Sequence, residues 1–405
     1  MVIETLVIGA HLLNIVFAIK ITNKLFSYLS LSNLLIAPVV YGSLVNEKEI
    51  YSSNESSVFL VLVMFLLNMG AFFWNITIQK NLKINFVSKV QSTQGMGWVP
   101  ELSRLNLLFF FLSFIISVIL FFYIHGIPLF FDNLLFQRRG IQQETFLFYK
   151  IFLVLGPFLS LLIYSTYRIY NLNFFRYLFF ICGVSIVITL TLLGYKGYAV
   201  WYVLLIIMIM NVFGMKLLIP VILTMTGICM SILVTMIMYD FVVVDAIGML
   251  IKRSTTIAAY GYNIVYYEMY PQLPSLNFQG KSLNQFVTIW KYGRFSDLAE
   301  LGMGITTTIA GGLIVYLGKP LAVVAAPLIG FLMQSVYHKV YKYQLSPLLS
   351  SVFLYLGYTF IGVVVRGTVD NVWFEVVLFY LIFSSLILFI ECCLRQTSIV
   401  RFRRI

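Results

Sequence analysis

Gly302-Met303-Gly304-Ile305-Thr306-Thr307-Thr308-Ile309-Ala310-Gly311-Gly312 is the stretch that decides how this chain is read. It closes a polar excursion that opens at Ile251 with Lys252-Arg253. The excursion carries Glu268, Lys281, Lys291, Arg294, Asp297 and Glu300 and ends at Gly318-Lys319-Pro320. The small and hydroxylated residues of 303–318 are apolar enough for a span. A complete crossing there would send the four-arginine carboxyl tail to the side opposite the other basic loops, against the charge bias of short membrane loops. A re-entrant half-helix is therefore expected, and its broken backbone needs protein or water around it. A large polar excursion closed by such a half-helix is where a polytopic membrane protein keeps its chemistry.

The rest of the chain reads as spans. Of 405 residues, 61% are hydrophobic and 10% charged, whereas soluble domains carry about 25% charged residues. Segments near the roughly 20 apolar residues that a span needs recur at 2–19, 25–45, 57–78, 105–124, 147–165, 177–194, 198–214, 217–238, 320–337, 346–364 and 372–394. That predicts an all-α, polytopic helical bundle of about eleven transmembrane helices, a single domain over 1–405 with a long external loop at 239–318. Gly214-Met215-Lys216 joins two of the segments so tightly that they read as a helical hairpin. Glu4 precedes the first span and Lys20 and Lys24 follow it. A signal peptide has the opposite polarity, so this reads as an uncleaved span.

Lys and Arg set the orientation. Lys20, Lys24, Lys80, Lys83, Lys89, Arg104, Arg168, Arg176, Lys216, Lys339, Lys342 and the tail arginines Arg395, Arg401, Arg403 and Arg404 fall in one set of loops. Glu47, Glu49, Glu55, Asp132, Glu144, Asp370 and Glu375 fall in the other. The first set goes inside, which puts the amino end and 239–318 outside and the tail inside. The formal charge of +12 suits anionic lipid at the inner surface, and no basic run resembles a nucleic-acid-binding face. Cys182, Cys229, Cys392 and Cys393 form no C-x-x-C pair, so neither a disulfide nor a metal site is expected. No phosphate-binding glycine loop, zinc-protease helix motif or serine-triad order occurs.

What remains is an unusual set of external cations: Arg138-Arg139, Lys196 in the turn Gly194-Tyr195-Lys196-Gly197, Arg253, Arg294 and Arg366. Cations at helix ends commonly snorkel to headgroups. An adjacent arginine pair and a lysine in a Gly-flanked turn do less anchoring, and guanidinium forks suit phosphate oxygens. Asp240, Asp245, Glu268, Asp297 and Glu300 are the acids that could take a proton from an attacking hydroxyl; solvated loop acids and ion pairs are the plainer reading of each. Tyr260, Tyr262, Tyr266, Tyr267 and Tyr270, with Trp290 and Tyr292, lie in the polar excursion. Their flat amphipathic rings fit sugar faces and a membrane interface equally well.

The layout resembles the Wzy-type oligosaccharide repeat-unit polymerases, which build O-antigen and related bacterial surface polysaccharides. The resemblance rests on Gly126-Ile127-Pro128-Leu129-Phe130 followed by Arg138-Arg139-Gly140, on Gly194-Tyr195-Lys196-Gly197, and on Thr306 through Gly318 entering a span. A Gly-x-Arg turn is common in that family where this chain has Lys196. The resemblance implies a glycosyltransferase of the bacterial inner membrane, with a periplasmic amino terminus and a cytoplasmic carboxyl terminus. It would move a growing glycan from undecaprenyl diphosphate to the terminal sugar of a new lipid-linked repeat unit, so that such glycans are both donor and acceptor. It implies no nucleotide sugar, metal or other cofactor, and no nucleic acid. Its partners are membrane lipid and a chain-length regulator protein. On this reading Arg138, Arg139, Lys196, Arg253, Arg294 and Arg366 bind diphosphate or glycan, and Asp297 or Glu300 is the base. The related O-antigen ligases tend to carry a histidine in the long external loop, and 239–318 has none. A lipid-linked oligosaccharide flippase is expected to show an even, repeat-built set of spans.

Overall fold

A computed structural model describes residues 2–25, 27–86, 104–130, 151–170, 173–193, 196–212, 218–275, 283–292, 306–342, 347–367, 382 and 384–393. These residues are 94% helical and include no strand. Among the described residues, seven helices are long and apolar enough to cross a membrane: Val2–Thr22 (α1), Tyr28–Ile50 (α2), Glu55–Thr77 within the longer helix Glu55–Phe86 (α3), Arg104–Phe130, whose regular helix is Arg104–His125 (α4), Asn173–Leu192 (α6), Thr308–Lys339 and Pro347–Arg366 (α13). The other expected spans fall on shorter apolar helices, Phe152–Arg168, Val200–Ile209, Gly227–Ile237 and Ser384–Cys393. The first three lie on or within Gly156–Tyr170 (α5), Lys196–Val212 (α7) and Leu218–Tyr239 (α8). Leu13, Phe109, Ile119, Leu328 and Phe389 are all more than half exposed. Such apolar surface is costly in water and costs little against lipid. The chain is a helical membrane protein.

The helices form two compact units, both discontinuous in the sequence. One comprises Met1–Ile84, Val242–His338 and Leu356–Trp373; the other comprises Asn85–Phe241, Lys339–Tyr355 and Phe374–Ile405. In the second unit, α7 and α8 pack on each other and α5 packs on α6. Gly156 lets α5 approach Phe114 of α4, since a Cβ there would lie 3.1 Å from that ring.

The first unit carries the features that matter for function. Buried amides link its first three helices. Asn33 donates to Asn68 at 2.9 Å, Asn68 to the Asn14 carbonyl at 3.0 Å, and Asn14 to the Val61 carbonyl at 3.1 Å. His11, also buried, meets the Asn33 carbonyl. Such bonds hold helices together where lipid offers no polar alternative.

Val243–Lys252 (α9), Arg253–Ile257, Ala258–Asn263 (α10), Ile264–Met269 and Tyr270–Ser275 follow one another as a nearly continuous helical rod, with π turns at 253–257 and 264–269. The tyrosines expected in a polar loop therefore stand on a helix, and Tyr262 is fully buried. Close packing accounts for this difference. Gly42 of α2 meets the rod backbone so tightly that a Cβ would lie 2.0 Å from the Thr255 carbonyl oxygen. Small residues at the contact, Ala258, Ala259 and Gly261, let the rod lie on α2. Leu283–Tyr292 (α11) follows.

Thr308–Lys342 (α12) is broken at Gly318, whose φ of 78° and ψ of 164° are non-helical. Gly318 suits that conformation because it carries no Cβ, and Pro320 opens the second half, where its missing N–H costs nothing. The first half starts against Gly367 and Tyr262 and ends with Gly318 beside Tyr270. It thus climbs alongside the rod. The second half runs beside α3, and there Gly70 and Gly330 bring the two backbones together. Farther along, Gln334 donates to Asn75 at 2.9 Å and His338 meets Trp74 edge-on.

Candidate functional site

The site is built where α2 ends and α3 begins. Glu47 is fully buried there. One carboxyl oxygen accepts the Ser56 backbone N–H at 2.6 Å; the other accepts the Ser57 N–H at 3.1 Å and the Ser57 hydroxyl at 2.6 Å. Tyr267 of the rod donates its hydroxyl to the same carboxyl group. The first turn of α3 has open N–H groups, as every helix start does, and here a carboxyl from the preceding helix fills them. Asn263 adds a second tie. Its side-chain oxygen accepts from the Ser43 and Ser56 hydroxyls, both at 2.7 Å.

Above these anchors lies a half-exposed patch of rings and charges. Tyr51 stacks on Tyr267 with centroids 4.5 Å apart and planes 20° from parallel. Tyr51 donates to Glu268 Oε1 at 2.6 Å, and Lys291 Nζ of α11 donates to the same oxygen at 3.0 Å. Lys291 also lies 5.3 Å from the Tyr260 ring centre. Lys319, just after the Gly318 break, sits 3.4 Å over Tyr266 and 4.7 Å from the Tyr270 centre. No carboxylate lies within ion-pair reach of Lys319 among the described residues. Both donors to Glu268 fall on one carboxylate oxygen, and among the described residues Oε2 has no hydrogen-bond donor.

Burial raises the Tyr51 phenol far above its ordinary range, and the hydrogen bond to Glu268 adds to this. Burial, helped by Glu47, pushes Tyr267 up to about 12. Burial pulls Lys291 down, but Tyr260 and Glu268 outweigh it and leave the ammonium above its usual value. A free phenol titrates near 10 and a free lysine near 10.4. Above pH 10 the unfolded chain therefore loses phenolic protons before the folded one, and Lys291 loses its folded-state advantage over the same range. Both effects destabilise the fold in one direction. The thermal midpoint is expected to be insensitive to these groups below pH 10 and to fall between pH 10 and 12. A phenol absorbance titration complete near pH 10 would contradict this.

The sequence candidates divide as follows. Asp297, Glu300, Arg294, Arg138 and Arg139 lie outside the described residues. Lys196 opens α7 in the second unit. Arg253 is exposed where the first π turn begins, fifteen residues before Glu268 in the rod, or about 20 Å at the helical rise. It is not part of the Glu268 patch. Arg366 is half-buried at the end of α13, and its carbonyl accepts from the Thr307 N–H at 3.4 Å. Asp240 and Asp245 are exposed. Sequence reasoning missed Glu47, Tyr51 and Lys319 as site residues. Ser56 and Ser57 stand in the first turn of α3, and the carboxyl group that caps that turn, nine residues before Ser56, reaches it only when the hairpin closes.

No family model matches the chain, and no curated protein or solved structure matches it.

Proposed function

We propose that this protein is a membrane glycosyltransferase that polymerises undecaprenyl-diphosphate-linked oligosaccharide repeat units on the periplasmic face of the bacterial inner membrane, as the Wzy-type polymerases that its sequence resembles do. The observation that carries the reading is the Glu268 patch: a carboxylate held through one oxygen by Tyr51 and Lys291 and bordered by stacked tyrosines. Aromatic faces bind sugar rings, and a positioned carboxylate can take the proton of an acceptor hydroxyl. In the reaction that hydroxyl oxygen bonds to the anomeric carbon of the growing glycan. The bond from that carbon to the diphosphate breaks, the diphosphate leaves with the electron pair, and the proton passes to the carboxylate. Cations near the leaving group lower the barrier as charge develops on it. Lys291 and Lys319 join Arg138, Arg139, Lys196, Arg294 and Arg366 as candidates, Arg253 stands about 20 Å from Glu268 along the rod, and Asp297 and Glu300 stay beside Glu268 as candidate bases. The topology expected from loop charge puts the end of α2 and the rod outside, with Thr308–Leu317 as the rising half of a re-entrant element.

The test is a gel of surface glycolipid from cells lacking the gene, complemented with variants. Loss of the gene is expected to collapse the ladder to a core-plus-one-unit band. Glu268→Gln should shorten or abolish the ladder, since removing a general base typically costs 10²- to 10⁴-fold in rate. An unchanged ladder in the deletion strain sinks the proposal. A second reading, a lipid-linked oligosaccharide flippase, draws on the helix interrupted at Gly318, a device of transporters. It predicts loss of every glycan band.

A further inference from the structure

The half-helix Thr308–Leu317 begins in a buried and strained position. Thr307, Thr308, Ile309 and Ala310 are each 0% exposed. The Thr307 N–H is taken by the Arg366 carbonyl at 3.4 Å, but the hydroxyls of Thr307 and Thr308 have no hydrogen-bond partner among the described residues. Buried polar groups are nearly always paired, and two adjacent exceptions call for an explanation. The backbone is also forced. Thr308 has a φ of 63°, a left-handed conformation that a β-branched residue rarely adopts. Gly367, at φ 71°, faces it so closely that a Cβ would lie 2.0 Å from the Thr308 carbonyl oxygen and 2.5 Å from the Thr307 hydroxyl. Thr307 leans over the first turn of the half-helix, with its hydroxyl 3.6 Å from where a Cβ on Gly311 would lie. Strain of this kind gathers at functional sites.

The two hydroxyls and the helix start ask for the same kind of ligand. Hydroxyls donate, and a helix amino terminus favours negative charge. We infer that Thr307 and Thr308 form an oxyanion-binding position that takes a phosphoryl oxygen of a lipid diphosphate. This rests on the function proposed above for the identity of the ligand and on the local geometry for its position. It differs from the arginine and lysine candidates in that backbone and hydroxyl groups hold the charge. Such groups are fixed in place and need no reorganisation as charge develops.

The experiment uses the full chain in lipid nanodiscs, with geranylgeranyl diphosphate and geranylgeraniol as probes. The wild type should prefer the diphosphate. Thr307→Val, and Thr307→Val with Thr308→Val, keep the shape and remove the hydroxyls. They are expected to weaken diphosphate binding roughly tenfold, in the range of one or two charge-assisted hydrogen bonds. Binding of the alcohol should be unchanged, and the thermal midpoint equal to or above that of the wild type, because unpaired buried hydroxyls are removed. Thr307→Ser should retain the affinity. Equal diphosphate affinity in the valine variants overturns the inference alone. A lowered midpoint in both valine variants overturns it too, since the hydroxyls would then be structural. A wild type that binds the diphosphate no better than the alcohol overturns the donor assignment in the proposed function and the inference with it.

Discussion

Glu47→Ala is expected to destabilise the first unit by about 3–5 kcal/mol, the range seen when one member of a buried, charged hydrogen-bond set is removed. Four donors converge on this carboxyl group: two backbone N–H groups of α3, the Ser57 hydroxyl and the Tyr267 hydroxyl. Alanine leaves the two N–H groups and the Ser57 hydroxyl buried, and the Tyr267 hydroxyl half-buried, without that acceptor, and each unsatisfied buried group costs about 1–3 kcal/mol. Water entering the gap would recover part of this, which keeps the total below a simple sum. Glu47→Gln should cost less, since one amide oxygen still accepts while the amide nitrogen opposes the remaining donors. The measurement is the thermal midpoint of purified protein, together with protease accessibility of the Tyr270–Ser275 segment, which the Tyr267 bond helps to hold down. A Glu47→Ala midpoint within a degree or two of wild type would show that the α2–α3 end is held by packing alone. Because Tyr267 stacks on Tyr51 and Tyr51 bonds Glu268, the same variant should also disorder the carboxylate patch. The glycan polymerisation proposed above should then fall with stability.

The other large effect is expected at the crossing of α3 and α12. A Cβ on Gly330 would lie 1.8 Å from the Leu67 carbonyl oxygen, and one on Gly70 would lie 1.8 Å from that of Pro327. These contacts are with backbone, which cannot rotate aside. Gly330→Val must therefore push the helices apart, with a cost on the order of 3 kcal/mol or more for overpacking. Separation also strains the Gln334–Asn75 bond and the Trp74–His338 contact. The expected result is poor yield of folded protein and an early-eluting, aggregated fraction. Gly330→Ala should show the same defect in weaker form, and a wild-type midpoint for alanine would refute the close crossing. Gly9, which has nothing within 4 Å of a built Cβ, is the matched control and should accept alanine without loss.

The two predictions bear on different sources of information. That Gly70 and Gly330 lie at one helix crossing is invisible in the sequence, because 260 residues separate them; the spacing Ala322, Ala326, Gly330 marks a small-residue face on one helix but not the helix it meets. The Glu47 cap is similar: the open N–H groups belong to the first turn of α3, but the group that fills them comes from the preceding helix. The break at Gly318-Lys319-Pro320 was legible, because glycine and proline act on their own backbone and need no partner. The tyrosine-rich stretch was legible in composition and misleading in form. Its polar residues suggested a loop, whereas a helical rod was favoured once Gly42 and the alanines of 258–259 allowed it to lie on α2.

Hydropathy along the chain is enough to make this a helical membrane protein. Apolar runs of span length have no other stable solution in lipid, where each backbone polar group must be satisfied within its own segment. It also marked the 251–318 region as the place where polar groups collect. Which of those groups meet depends on how the helices pack. Packing set Glu268 against Tyr51 and Lys291, and Lys319 over Tyr266 and Tyr270. It also set the Thr307 and Thr308 hydroxyls against Gly367 with no hydrogen-bond partner among the described residues. The reason is physical: a span is written in the hydropathy of neighbouring residues, whereas a site depends on hydrogen bonds and close contacts between residues far apart in the chain.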